Sequence, residues 1–287
     1  MNLGDTSIPI YGKVRPILRW AGSKRKLVPL LLKLIPAFSG RYFEPFAGSA
    51  CLFTALRPSK GILGDRNGDL IRTYETIRSH PTAVARMVHA MPKKRSYYYD
   101  LRRTKIPTSR RLECAAQFLY LNRYCFNGVY RTNKAGDFNV PRGTRTGRIP
   151  RAWEFAAFAE VLRTAELRCC DFEECLRDVR AGDFVYLDPP FPTKRPNSGE
   201  YGYGGFGWSD IERLIATLRH LDANDVSFLL SFVATEDILK LNDWFLKRIS
   251  VGRHVAGFSH HRTRATEILV SNRTLPCTWP TTEKHGR

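Results

Sequence analysis

The sequence predicts a doubly wound α/β fold, a mostly parallel sheet with an antiparallel edge, interrupted by a mainly helical insertion. Three observations predict it. Short apolar runs at 62–64 and 184–187 suit buried parallel strands. Stretches with helical apolar spacing alternate with such runs at both ends of the chain, as βαβ units require. The segment between them changes to basic, helix-patterned sequence.

The elements follow in order. Leu27, Leu30, Leu31, Leu34 and Ile35 space a helix over 22–35. Tyr42-Phe43 leads into a turn at Ala47-Gly48-Ser49, then a helix to Leu56 that Pro58 ends. A short strand over 62–64 stops at Asp65. Asn67 is placed to cap the next helix, with Leu70, Ile71, Tyr74 and Ile77 on one face. A helix is expected over 111–124, and a hairpin turn at 133–137. After the 184–187 strand, Ser209 and Glu212 predict a capping box opening a helix to Leu221. A strand over 226–232, a helix over 235–247 and strands near 251–256 and 267–271 complete the reading. Residues 1–74 and 151–287 are expected to form one domain, with 75–150 inserted in it.

The chain has 46 basic against 27 acidic residues, a net charge of +19. Twelve of those charges fall between Lys93 and Arg151, where fifteen Lys/Arg meet three acids. Such a patch fits a polyanionic partner, most simply nucleic acid, bound with strong salt dependence. A basic proteome would also raise the total. At 43% hydrophobic residues the chain can bury a sizeable core. No apolar stretch approaches about 20 residues, so no membrane span is expected. The N-terminus lacks a basic-then-apolar signal pattern. Seven cysteines, with no C-x-x-C and no Cys/His cluster at zinc spacing, fit a reducing cytoplasm and no metal.

Four motifs carry chemistry. In Phe43-Glu44-Pro45-Phe46-Ala47-Gly48-Ser49-Ala50, Gly48 lets a ligand approach the backbone beyond a strand. Asp65 ends the next strand, where an acid accepts bonds from ribose hydroxyls. A tight structural turn and a surface acid would look the same. Asp188-Pro189-Pro190-Phe191 follows a buried strand, at the edge where open α/β sheets bind ligands. Asp188 and a carbonyl left by the two prolines can accept both hydrogens of an amino group, and Phe191 offers a face for a base. Those bonds would localise the amine lone pair for attack on an electrophilic methyl. A rigid strand-ending turn would use the same residues. Arg19-Trp20-Ala21-Gly22-Ser23-Lys24 joins a basic and an aromatic residue, suited to a carboxylate-bearing adenosyl cofactor or to plain packing. Residues 121–143 interleave Tyr124, Phe126, Tyr130 and Phe138 with Arg and Asn, the side chains that read guanine and adenine edges. Some of these aromatics, Phe138 first, are expected in the core.

Together and in this order, Arg-Trp-Ala-Gly-Ser-Lys, Phe-Glu-Pro-Phe-Ala-Gly-Ser, Gly-Asp-Arg-Asn-Gly-Asp-Leu-Ile, Leu-Asn-Arg-Tyr-Cys-Phe-Asn-Gly, Gly-Asp-Phe-Asn-Val-Pro-Arg-Gly and Asp-Pro-Pro-Phe resemble the Dam-type (alpha-class) DNA adenine-N6 methyltransferases over residues 17–272. The resemblance implies a class I methyltransferase fold with a Rossmann-like, seven-stranded sheet. It implies methyl transfer from S-adenosyl-L-methionine to N6 of an adenine flipped out of double-stranded DNA. Trp20, Lys24, Phe46, Gly48, Asp65 and Asp188 would line the cofactor pocket. Asp188, Pro189, Pro190 and Phe191 would form the catalytic site. Residues 75–150 would recognise the target, with Arg131 on a guanine edge, Phe126, Asn127, Asn139 and Pro141 near the flipped position, and Arg142 also on the DNA. A GATC-like target, a monomer on DNA, a bacterial or phage source and a cognate restriction enzyme are family expectations. This chain departs at Phe191 and Phe126, where Tyr is usual, and at Ala50, where a second glycine is usual. The 192–208 loop, with five glycines, is expected to be a mobile lid that orders on DNA. The Asp-Pro-Pro-aromatic site itself leaves cytosine-N4 and RNA adenine methylation open, and a non-catalytic DNA-binding relic is the remaining alternative.

Overall fold

The computed structural model describes residues 14–133, 135–191, 205–235, 238, 243–252 and 264–275. A seven-stranded sheet forms the centre, in the order β3-β2-β1-β4-β5-β7-β6. Its strands are β1 Tyr42–Glu44, β2 Gly61–Asp65, β3 Ala165–Cys169, β4 Phe184–Leu187, β5 Ser227–Val233, β6 Phe245–Gly252 and β7 Arg264–Ser271. The first five pair in parallel, and β7 runs antiparallel to both β5 and β6. This is the mostly parallel sheet with an antiparallel edge that the alternating pattern predicts.

The apolar character of the central strands explains their position. All four residues of β4 are buried, and so are all three of β1. Each large apolar side chain so placed contributes roughly 1.5–3 kcal/mol. Between β1 and β4 the chain reverses its direction of travel across the sheet, the kind of crevice where such folds bind ligands.

The helices are α1 Val28–Leu34, α2 Cys51–Leu56, α3 Gly68–Ser79, α4 Pro81–Ala90, α5 Arg95–Arg103, α6 Arg111–Tyr124, α7 Ala152–Leu162, α8 Phe172–Cys175 and α9 Trp208–Ala223. Asn67 caps α3 as expected, its Oδ1 accepting from Leu70 N at 3.0 Å. The long helix 111–124 also stands where its spacing puts it. α3, α4, α6 and α7 pack together, and one hydrophobic cluster runs from β1 and β4 through α3 into α6.

Four local expectations are corrected. The 22–35 helix is two pieces, a 3-10 turn at Lys24–Lys26 and α1, because Pro29 near the start of α1 cannot continue a preceding helix. α9 begins at Trp208: the Asp210 carboxylate accepts from Gly207 N at 2.9 Å and takes the cap expected of Ser209. Residues 245–247, expected in a helix, belong to β6, because pairing with β7 overrides local spacing. The hairpin at 133–137 closes through a single bridge, Thr132 to Phe138, rather than through paired strands. The 192–204 part of the expected lid, and the 253–256 end of the expected strand, lie outside the described residues.

Candidate active site

The site is a cleft at the carboxyl ends of β1, β2 and β4. Trp20, Lys24, Phe46, Gly48, Asp65, Asp188, Pro189, Pro190 and Phe191 all line it. Nine residues scattered through 172 positions of sequence therefore meet in one place.

β4 delivers Asp188 to the cleft. Lys24 Nζ lies 2.6 Å from Asp188 Oδ1, and Oδ2 has no partner among the described residues. Lys24 is only 6% exposed. Its ammonium also donates to Gly22 O at 3.2 Å and stands 5.7 Å above the Phe191 ring. Burial pushes the Asp188 carboxyl above the usual carboxylate range, against the opposite pull of Lys24. Burial also lowers the Lys24 ammonium, but Asp188 and Glu267 outweigh it and hold the group above its ordinary value.

β1 and β2 build the other wall. Gly48 has φ +45°, and a Cβ there would meet the Trp20 indole at 2.9 Å. Only glycine allows that approach without strain. Tyr74 on α3 donates its hydroxyl to Gly48 O at 2.6 Å. Ala50, where the family usually has glycine, also adopts a left-handed conformation, φ 50°, at the cap of α2. Asp65 accepts from Gly48 N at 3.0 Å and Asn67 N at 2.9 Å. Burial outweighs those two bonds and raises its pKa to about 6. Phe46 stacks on Phe172, centroids 5.4 Å apart, and meets Phe206 edge-on at 6.1 Å.

Several cleft residues were not singled out from the sequence for a role. Phe172 opens α8 just beyond β3, a strand with little apolar pattern in its sequence. Leu167 between Glu166 and Arg168 was its one alternating signal. Glu44 lies in a noted motif but carries no expected role. It is buried, accepts from Tyr42 Oη at 2.8 Å and Phe53 N at 3.2 Å, and is pushed by burial up to about 8. Tyr186 and Asp210 also line the cleft.

Phe126, Asn127, Arg131, Asn139, Pro141 and Arg142 stand apart from the cleft, on one folded loop after α6. Phe126 N donates to Pro141 O at 2.9 Å, and a bridge joins Cys125 to Arg142. Asn127 has φ 52°. Arg131 is exposed and donates through Nε to Asn139 Oδ1 at 2.8 Å. The Arg142 guanidinium is half-buried, 5.8 Å above the Tyr124 ring. Tyr124 and Tyr130 are core, and Phe138 packs partly buried against them. Trp20 connects the two regions: its ring stacks on Tyr130 at 6.1 Å with 17° between planes, and Ala21 N donates to Gly128 O at 3.3 Å.

A seven-stranded sheet of this order, with Asp-Pro-Pro-Phe at the carboxyl end of β4, defines an amino-group methyltransferase of the class I fold. Residues 20–262 match the model of the D12 class N6 adenine-specific DNA methyltransferases, and the chain belongs to that family. It is 32% identical to the type II methyltransferase M1.LlaDCHI of Lactococcus lactis subsp. cremoris, over 90% of this chain and 95% of the relative. It is 31% identical to the retron Ec67 DNA adenine methylase of Escherichia coli, over 88% and 90%. It is 28% identical to a DNA adenine methylase of Haemophilus influenzae, over 90% and 93%. The protein is thus a site-specific DNA-methyltransferase acting on adenine, and its family implies S-adenosylmethionine as methyl source and DNA as substrate. Among the described residues, no helix is long and apolar enough to cross a membrane.

Proposed function

We propose that the cleft binds S-adenosylmethionine against Trp20, Lys24, Phe46, Gly48 and Asp65, and that Asp188, Pro189, Pro190 and Phe191 take an adenine flipped out of duplex DNA. The observation that carries this reading is the Lys24–Asp188 contact: one carboxylate oxygen is held at 2.6 Å and the other is left for a substrate.

The residues of the cleft suit the cosubstrate. The Trp20 indole packs directly on the bare backbone at Gly48, and the two together offer the cleft a wall of ring and peptide that suits a flat group. Asp65 sits where ribose hydroxyls are accepted in related folds, and Phe46 supplies an aromatic wall. S-adenosylmethionine, when bound, supplies an electrophilic methyl on a sulfonium. Everything else falls to the protein. Asp188 Oδ2 and the Pro189 carbonyl accept the two N–H groups of the adenine amine, which moves its lone pair out of the ring and onto nitrogen. Asp188 is also the acceptor available for the proton that nitrogen loses after transfer. Phe191 stacks on the base and fixes its angle of approach.

Residues 75–150 serve target recognition in this reading. Arg131 reads a guanine edge, its Nε bond to Asn139 holding the guanidinium plane. Phe126, Asn127, Asn139, Pro141 and Arg142 border the gap that the flipped adenine leaves in the duplex. The exposed basic residues of α5 and α6, Arg95, Arg103 and Arg111, bind phosphates and make affinity strongly salt-dependent. The protein acts as a monomer on DNA, in the cytoplasm. A restriction enzyme is a fitting partner, since one relative is named a type II methyltransferase.

Purified protein incubated with methyl-labelled S-adenosylmethionine and duplex DNA tests this. Hydrolysis of the DNA should release labelled N6-methyladenine. Label in N4-methylcytosine alone, transfer to RNA alone, or no transfer overturns the reading.

A further inference from the structure

Lys24 faces a second carboxylate besides Asp188. Its Nζ lies 3.9 Å from Glu267 Oε2, and both side chains are only 6% exposed. Glu267 comes from β7, paired opposite Val233 of β5 and Ile249 of β6, far from the motifs at the other end of the chain. No functional motif of the sequence includes it.

A buried ammonium is costly unless its charge is compensated. Were Asp188 its sole counter-ion, the same carboxylate would have to satisfy Lys24 and also accept from the substrate amine. Glu267 supplies a separate negative charge. The other groups around Lys24 and its two carboxylates are the Cys51 thiol from α2, the Gly22 carbonyl, the Phe191 ring and, near Asp188, the Glu44 carboxyl of β1 and the Tyr186 phenol of β4. None of these supplies Lys24 with a fixed second anion at neutral pH, since burial keeps Glu44 largely protonated and the Cys51 thiol neutral.

We propose that Glu267 is a positioning residue for methyl transfer: it anchors the Lys24 ammonium so that Lys24 pins Asp188 Oδ1 and leaves Oδ2 for the target amine. The proposal rests on the catalytic reading of Asp188 given above. Without Glu267, Lys24 gives up its proton more readily. At neutral pH the ammonium stays charged but loses its second anchor and shifts off Oδ1, and the carboxylate turns away from the orientation the substrate needs.

The test compares the full-length protein with Glu267→Gln, of equal size without charge, and with Glu267→Asp. Lysine Cε is labelled with carbon-13 and titrated by NMR, with Lys24→Arg assigning the signal. In Glu267→Gln the Lys24 midpoint should fall by at least about one pH unit. The kcat should drop roughly tenfold, its alkaline limb moving to lower pH, while KM for DNA stays within about twofold. Glu267→Asp should restore part of both. A folded Glu267→Gln protein with an unmoved Lys24 midpoint overturns the proposal, as does a kcat loss without a moved alkaline limb. If Glu267→Gln does not fold, Glu267→Asp is judged by the same two criteria, with smaller expected changes. A wild-type protein that transfers no methyl group defeats the catalytic reading instead, and the Lys24 titration still decides whether Glu267 governs that ammonium.

Discussion

Lys24 Nζ and Asp188 Oδ1 lie 2.6 Å apart, although 164 positions separate them in the chain. The contact ties a 3-10 turn near the N-terminus to the end of β4, and it orients the carboxylate proposed above to hold the target amine. Replacing Asp188 by Ala removes the acceptor for the amine and leaves the buried Lys24 charge with one fewer partner. Transfer should fall by roughly 10³-fold or more. DNA affinity, measured by fluorescence anisotropy, should change little, because the basic loop lies outside the cleft. Near-normal turnover of this variant would remove Asp188 from the mechanism.

Phe191 should act through its ring face alone. Phe191→Tyr keeps that face and should retain activity. Phe191→Ala should lose most of it, since stacking of a base contributes about 1–3 kcal/mol. Single-turnover rates with saturating cosubstrate measure this, and equal rates for the Ala variant would exclude stacking.

Glu44 predicts a pH effect on stability. Burial raises its pKa from 4.5 to about 8, so the folded protein holds this proton where the unfolded chain has lost it. The stabilisation that comes with the proton is complete below about 4.5 and declines as pH rises, until it is gone above about 8. Glu44→Gln carries no such dependence. The melting temperature of the variant relative to wild type should therefore climb between pH 5 and pH 8 and level off beyond. A constant difference across that range would show that Glu44 does not hold a proton in the fold.

Arg131 is exposed and paired through Nε with Asn139, which leaves the rest of its guanidinium for a base edge. Arg131→Ala should cost about 1–3 kcal/mol in discrimination at one base pair of the target. Transfer rates on duplexes substituted at each position of the site would reveal it. A uniform loss across all duplexes would instead make Arg131 a phosphate contact.

Much of this was legible in the sequence, for reasons that differ from element to element. β4 and α6 announced themselves because burial there is one-sided or complete, so local pattern and tertiary place agree. Gly48, Asp65 and Asp188 are legible because each sits at a turn or strand end with a residue type that the local backbone or chemistry demands, whereas Trp20 and Lys24 join them only through the family resemblance. β3 and β6 were hidden for opposite reasons. β3 mixes charged residues into a strand at one end of the parallel set, and β6 borrows its order from pairing with β7. Phe172 is hidden with β3, whereas Glu267 lies in a strand the sequence predicts at 267–271 but within no motif that marks a role. Ala50 was noticed as a departure, but its φ of 50° belongs to the folded chain alone.

The most direct measurement is expression of the wild-type protein, and of Asp188→Ala, in a methylation-free bacterial host, followed by modification-sensitive sequencing of the chromosome. N6-methyladenine at one short recurring sequence in the wild-type host, absent with Asp188→Ala, is the result predicted here. An unmodified chromosome, methylation confined to cytosine, or an equal pattern from the Asp188→Ala variant would contradict it.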